Sequence, residues 1–142
     1  MRPLDQSLPM KLLKAREAVM ERFRPHLHAH GVTEQQWRVL RGLAEHGELD
    51  AGALARLVTL KMPSVSRILN DLEARDLISK SRSSKDLRLV NVAITTTGQS
   101  LFQKMAQDSA KPYAEIEQAV GKKNYDQLMR QLDELLAALK VR

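Results

Sequence analysis

The sequence predicts a mainly α-helical chain with one antiparallel hairpin set into it, and three observations carry that expectation. Leu, Ala, Arg, Lys, Glu and Gln are plentiful while aromatic residues make up only 4% of the 142 residues, a composition of good helix formers. Apolar residues recur at helical spacing along most of the chain. Between Leu77 and Ile94 that period gives way to the pattern of two short strands. The length is that of one domain able to bury a real core. No internal repeat or low-complexity linker interrupts it. A single unit over 1–142 is expected, with helices over about 1–31 and 97–142 flanking a central portion of about 33–96.

In chain order, a first helix is expected from about Leu8 to His30, with Leu12, Leu13, Val19, Met20, Phe23 and Leu27 as its apolar stripe. Pro25 should bend it and Gly31 should stop it. Thr33 resembles an N-cap, and Gln36 three residues on completes a capping box. The second helix then runs to about His46, burying Trp37, Leu40 and Leu43 or Ala44. Asp50 caps a short third helix, Ala51 to Val58, which should bury Leu54, Leu57 and Val58. Thr59 to Met62 reads as a turn, after which Pro63 takes the first position of a fourth helix, where its missing N–H costs nothing. Val65, Ile68, Leu69 and Leu72 share that helix's inner face. Strands follow over Leu77–Lys80 and Leu87–Ile94, joined by the polar tip Ser81–Asp86. Thr95-Thr96-Thr97-Gly98 leads into a long helix reaching about Val120, kinked at Pro112. After Gly121 a last helix, about Asn124 to Lys140, carries Leu128, Leu132, Leu135, Leu136 and Leu139.

Three helices followed by a two-stranded hairpin is the order of a winged helix-turn-helix, which lays its last helix in the DNA major groove. The outer face of the fourth helix carries Pro63, Ser66, Arg67, Asn70 and Ala74, with Ser64 on its flank and Lys61 just before it. Arg and Asn are the side chains that pair with guanine O6/N7 and adenine N6/N7. An ordinary amphipathic helix with a solvated outer face would show the same pattern in isolation. The hairpin favours the DNA reading, because it sets Lys80, Arg82, Lys85 and Arg88 against Asp86 alone. A cationic tip of this kind suits the narrow, strongly negative minor groove of A·T-rich DNA. Asp86 is expected to hold Arg88 or the turn in shape, since a carboxylate facing phosphates is repelled. A formal net charge of +6 fits a polyanionic partner.

Other chemistry finds little support. The chain has no cysteine, which excludes disulfides, thiolate ligands and thiol redox sensing. His26, His28 and His30 are close in sequence, but no carboxylate cluster accompanies them, so no metal is expected. There is no nucleophile elbow, no triad order and no glycine-rich phosphate loop. An enzyme is the weak rival reading, a DNA-architectural protein without a ligand the stronger one, and no cofactor is expected. No apolar run approaches the roughly 18 residues of a membrane span, and the N-terminus lacks a signal-peptide core. A cytoplasmic protein without membrane contact is expected.

Asp86-Leu87-Arg88 matches an Asp-x-Arg wing signature, and Ile94-Thr95-Thr96-Thr97-Gly98 stands where Leu-Thr-x-x-Gly is common. On these motifs the chain resembles the MarR family of bacterial transcriptional regulators over essentially its whole length. Ile94 replaces the usual Leu, and the basic pair before the wing is spread out as Lys80 and Arg82. Ala15-Arg16-Glu17-Ala18, Phe23-Arg24-Pro25 and Gly31-Val32-Thr33-Glu34-Gln35-Gln36-Trp37-Arg38 are similar to the family's homoprotocatechuate-degradation regulators. The resemblance implies a repressor of an aromatic-acid catabolic operon, released by a small phenolic carboxylate of the hydroxyphenylacetate type. A family member with another class of effector is the alternative.

A homodimer is expected on physical grounds as well. The stripe Leu128, Leu132, Leu135 and Leu139, and the apolar residues around Leu12, exceed what one small winged domain covers. Two-fold pairing would present two reading helices to half-sites about one DNA turn apart. The alternative is that these helices pack on their own protomer. For the effector, Arg16 stands in the apolar stripe of the first helix with Met20 and Phe23 beyond it. A guanidinium there could hold an aromatic carboxylate bidentately while Met and Phe contact the ring. Pairing of Arg16 with a glutamate is the competing reading. Trp37 and Arg38 lie near where such a pocket would open, although a tryptophan is more often plain core.

Overall fold

The computed structural model describes residues 1–139. A 3₁₀ turn over Leu4–Gln6 precedes α1 (Leu8–Ala29), α2 (Glu34–His46), β1 (Leu49–Asp50), α3 (Ala51–Val58), α4 (Met62–Ala74), β2 (Ile78–Arg82), β3 (Val90–Ile94), α5 (Thr96–Asp108), α6 (Ala110–Val120) and α7 (Lys122–Ala138).

Local chemistry explains most boundaries. Helix α1 continues through Pro25 and closes in a Schellman arrangement. The Val32 N–H reaches Leu27 O (3.1 Å) and the Gly31 N–H reaches His28 O (2.9 Å), with Gly31 at φ +66°. Thr33 and Gln36 form the capping box in both directions, each bond 3.1 Å. The Asp50 carboxylate accepts from the Ala53 N–H at 2.8 Å and opens α3. Thr95 does most at the start of α5. Its Oγ1 accepts from the Gly98 N–H (3.0 Å) and donates to Asp76 O (2.6 Å), while its N–H reaches Leu77 O (3.1 Å). The threonine therefore fastens α5 to the end of the reading unit.

Several expectations shift. Helix α4 starts at Met62, so Pro63 occupies its second position, still among the N–H groups that have no partner. The strands are Ile78–Arg82 and Val90–Ile94, later at both starts than expected: the Leu77 N–H still bonds Leu72 O at the end of α4, and residues 83–89 are folded into the tip by local bonds. A two-residue strand β1 adds to the edge, giving the order β1-β3-β2, with Leu49 opposite Val92 and Lys80 opposite Val92 on the other side. The long helix expected to end near Val120 is two helices, broken at Ser109 and not kinked at Pro112. A proline ring clashes with the carbonyl four residues earlier, which here is that of Asp108, the last residue of α5. Helix α7 begins two residues earlier than Asn124, and its expected end at Lys140 lies outside the described residues.

The core is built from Val39, Leu40 and Leu43 of α2, Leu54 and Val58 of α3, and Val65, Ile68, Leu69 and Leu72 of α4, closed below by Leu77, Ile78 and Val92. Leu57, expected inside, is exposed. It stands about a quarter of a turn off the Leu54–Val58 stripe. A second, smaller cluster joins Leu27, Val32 and Met105, with Met20, Trp37 and Leu101 partly buried against it. Trp37 is half-buried and not full core, stacked on Phe102 at 5.4 Å. At the ends of the chain, Leu12, Leu13, Val19, Leu128, Met129 and Leu136 remain exposed on the protomer, while Leu132 and Leu135 are half-buried.

Candidate nucleic-acid interface and adjoining cavity

The inner face of α4 is locked into the core, so its other face must be presented outward. Lys61, Pro63, Ser66, Arg67 and Asn70 are all exposed there, and Ser64 is half-buried on the flank. Asn70 is tied to the base of the wing, since Lys80 Nζ donates to its Oδ1 at 2.6 Å and stands 3.4 Å from Glu73 Oε1. Arg67→Ala is expected to lose discrimination at one base pair, about 1–3 kcal/mol, whereas Lys61→Ala should weaken all sequences alike. Competition titrations with specific and random duplexes check this, and equal losses for Arg67→Ala on both would remove its base-reading role.

The wing tip is shaped from within. Ser83, buried, accepts from the Lys85 and Asp86 N–H groups (3.2 and 3.3 Å), and Arg82 donates to Leu87 O at 2.7 Å. Asp86 accepts from the Arg88 backbone N–H (3.0 Å) and from the Nε and Nη2 groups along one edge of its guanidinium (3.0 and 2.9 Å). These bonds, the side-chain ones foremost, hold the Asp86 carboxyl below the usual carboxylate range. Its hold on Arg88 is thus present above that range and is lost as pH falls through the lowered value. The Arg88 side chain is 89% exposed, and Lys85 stands exposed at the tip. Arg88→Ala or Arg82→Ala is expected to weaken operator binding and to flatten its salt dependence by up to about one unit of slope per lost phosphate contact. The loss should be larger on A·T-rich flanks. A double variant that binds like wild type across several salt concentrations would take the wing out of the interface.

Behind this face lies a cavity of about 240 Å³ between α1, α2 and the α5–α6 junction. Met20, Phe23 and Leu27 supply its apolar wall, Trp37 and Tyr113 its aromatic one, and Arg16, Arg38, Arg41 and Glu34 its charges. Phe23 and Tyr113 meet edge to face at 4.7 Å. Arg16 is paired with Glu34, and Arg24 and Arg38 stand 3.7 and 3.8 Å from the same carboxylate. Arg38 also donates to Val58 O at 2.8 Å and Thr59 O at 3.4 Å, the turn that leads into α4. Burial first, and then the Arg16 charge, lowers the pKa of Arg38. Arg41 points NH1 at the Tyr113 hydroxyl (3.4 Å) while its Nε holds Glu45 at 2.8 Å. Both bonds, that to Tyr113 foremost, raise its pKa.

The five cavity residues expected from sequence, Arg16, Met20, Phe23, Trp37 and Arg38, all line this one space. Val19 and Leu27, expected only as part of the apolar stripe of α1, line it too, and Glu34, Arg41, Ser109 and Tyr113 were missed. A signal for two of them was available, because Glu34, Trp37, Arg38 and Arg41 fall at i, i+3, i+4 and i+7 on one face of α2. Nothing local pointed to Ser109 or Tyr113, which reach the cavity only because α5 breaks where it does.

An outward-facing helix locked on a small core, a basic wing beside it and unpaired apolar end helices define a dimeric winged helix-turn-helix regulator. The MarR family profile matches residues 32–90. The HTH-type transcriptional regulator FarR of Neisseria gonorrhoeae is 37% identical over 133 residues, 94% of this chain and 88% of its own. The homoprotocatechuate degradative operon repressor of Escherichia coli is 34% identical over 134 residues, 94% of this chain and 90% of its own. Among solved structures, NadR in complex with 4-hydroxyphenylacetate superimposes with a TM-score of 0.80 at 35% identity, covering 95% of this chain and 96% of that one. This chain belongs to the MarR family of transcriptional regulators. It binds operator DNA as a homodimer and is not an enzyme. No helix among the described residues is long and apolar enough to cross a membrane.

Proposed function

We propose that this regulator represses an operon for aromatic-acid breakdown and releases it when a small phenolic carboxylate fills the 240 Å³ cavity. The observation that carries the reading is the order of groups along α2. Arg41, paired with the Tyr113 hydroxyl, supplies converging donors. Glu34 supplies an acceptor seven residues away, about 10 Å along the helix axis, and Trp37 forms the wall between them. That sequence of donor, ring wall and acceptor suits an acid whose carboxylate and phenolic hydroxyl stand at opposite ends of one ring. The names of two relatives, a homoprotocatechuate operon repressor and NadR with 4-hydroxyphenylacetate, support the same chemistry.

The acid's carboxylate would meet Arg41 and Tyr113, its hydroxyl Glu34. A second reading is favoured by the Arg16–Glu34 pair: the carboxylate displaces Glu34 and meets Arg16 itself. Arg38 gives either event a route outward, since it lines the cavity and holds the carbonyls of the turn before α4. The ligand must favour a dimer whose reading helices no longer match one DNA turn, because equal affinity for both states shifts nothing.

Calorimetry of 4-hydroxyphenylacetate with and without operator DNA tests this. Coupling of roughly 1–3 kcal/mol should weaken operator binding about 5- to 150-fold, with the reciprocal loss in affinity for the acid. Arg41→Ala should cost about 1.5–3 kcal/mol of binding if its charge holds the carboxylate, and Arg16→Ala should cost as much only under the second reading. Operator affinity indifferent to the acid would eliminate this inducer.

A further inference from the structure

Lys80 stands at the third position of β2, where a wing cation would ordinarily face phosphate. Here only 26% of its side chain is exposed, and it turns inward to α4. Its ammonium bridges Asn70 Oδ1 at 2.6 Å and Glu73 Oε1 at 3.4 Å, two groups three residues apart on one helix face.

An ammonium has three donors and no acceptor. The atom of the Asn70 amide that meets it must therefore be the carbonyl oxygen, and the NH₂ group on the other branch of the same carbon takes no part in that bond. This matters for base reading. Pairing with adenine uses both ends of an asparagine amide, the oxygen accepting from N6–H and the nitrogen donating to N7. The charge-assisted bond takes one lone pair of Oδ1 and aims the oxygen at the base of the wing, so the amide nitrogen is the end left to meet a base. Donors alone match guanine O6 and N7 or thymine O4, and they oppose the amino group of adenine.

We propose that Lys80 is a positioning residue for base recognition: it fixes the Asn70 amide so that Asn70 selects guanine or thymine over adenine at its base pair. Glu73 keeps the lysine in place and offsets the charge that phosphate would otherwise attract. The proposal rests on α4 reading bases through its outer face, and the Asn70 arm below tests that premise by itself.

The experiment is selection from a pool of random duplexes by the full-length dimer, with base preferences read at each position of the half-site. Wild type should prefer guanine or thymine over adenine at one position by about 5-fold or more. Asn70→Ala should flatten that position alone. Lys80→Met should move the same position toward adenine, leave the others unchanged and keep the slope of binding against salt. Lys80→Arg, which retains a donor, should keep the wild-type preference. In the Asn70→Ala background, Lys80→Met should have no further effect at that position. A wild-type preference for adenine there, or a Lys80→Met dimer with unaltered preferences, overturns the proposal. So does a uniform loss for Lys80→Met on all sequences with the salt slope reduced by about one unit, which would make Lys80 a phosphate contact. Unchanged preferences in Asn70→Ala would remove Asn70 from base reading altogether.

Discussion

Replacing Leu128 and Leu136 together with glutamate is expected to leave a folded protomer that no longer pairs and that binds its full operator about 10²- to 10⁴-fold more weakly. Both leucines are nearly half exposed on the protomer, at 45% and 48%, on a helix that packs within the protomer against α6. If the dimer pairs through this face, a partner helix covers them, and a carboxylate placed there would be buried without a counter-charge. The winged core, centred on Leu40, Leu54 and Leu72, lies elsewhere, so its melting should survive. The loss in DNA affinity comes from unlinking two half-site contacts. Once the first reading helix is seated, the second binds at the high effective concentration set by the dimer, and that advantage is of order 10²- to 10⁴-fold. Sedimentation should give a monomer, and an isolated half-site should be bound as well as by wild type. A variant that still sediments as a dimer would place the pairing surface elsewhere.

Among the glycines, Gly98 should be the one that tolerates an added methyl group least. A Cβ built at Gly98 lies 2.1 Å from Leu77 O and 2.8 Å from Ile94 Cγ1. The first of these is main chain, and it is also the acceptor for the Thr95 N–H. It cannot turn aside as a side chain would, so α5 must lift from the strand pair or lose the Thr95 anchor. Overpacking of this kind costs about 1–3 kcal/mol and sometimes more, and the upper end is expected here. For a chain of this length that corresponds to a fall in Tm of roughly 10 °C, measured at fixed protein concentration because dimer stability depends on it. Thr97→Ala, on the exposed side of the same turn, serves as the control and should melt close to wild type. A Gly98→Ala protein equal to that control would show that α5 sits further from Leu77 than described. The Thr-x-x-Gly motif thereby acquires a physical meaning: the threonine caps and ties the helix, and the glycine lets it come close.

Much of the fold was legible because local chemistry governs it. The capping box at Thr33 and Gln36, the stop at Gly31, the Asp50 cap and the inner face of α4 depend on residues within one or two turns of each other, and each stands where the sequence places it. What was misplaced depends on distant partners. Leu57 carries the same apolar side chain as Leu54, but only the packing of α3 on α2 and α4 decides which of the two is buried. Strand β1 is two residues long and exists only because β3 has an open edge beside it. Pro112 signalled a disturbance, and the break fell at Ser109 because the proline ring acts on the carbonyl behind it.

The sites divide in the same way. Residue type and spacing by themselves determined that one helix face carries Arg67 and Asn70, that a basic hairpin with Asp86 follows it, and that the end helices need an apolar partner. Those are properties of side chains and periods, which the chain carries before it folds. Only the tertiary structure decided which charges are already taken. It paired Arg16 with Glu34, turned Lys80 toward Asn70, bound Arg38 to the turn before α4, and brought Tyr113 to within 3.4 Å of Arg41 across 72 residues of chain. A long cationic side chain can reach many partners, and its choice is set by which acceptor the packed backbone leaves nearest. Spacing in sequence does not contain that distance.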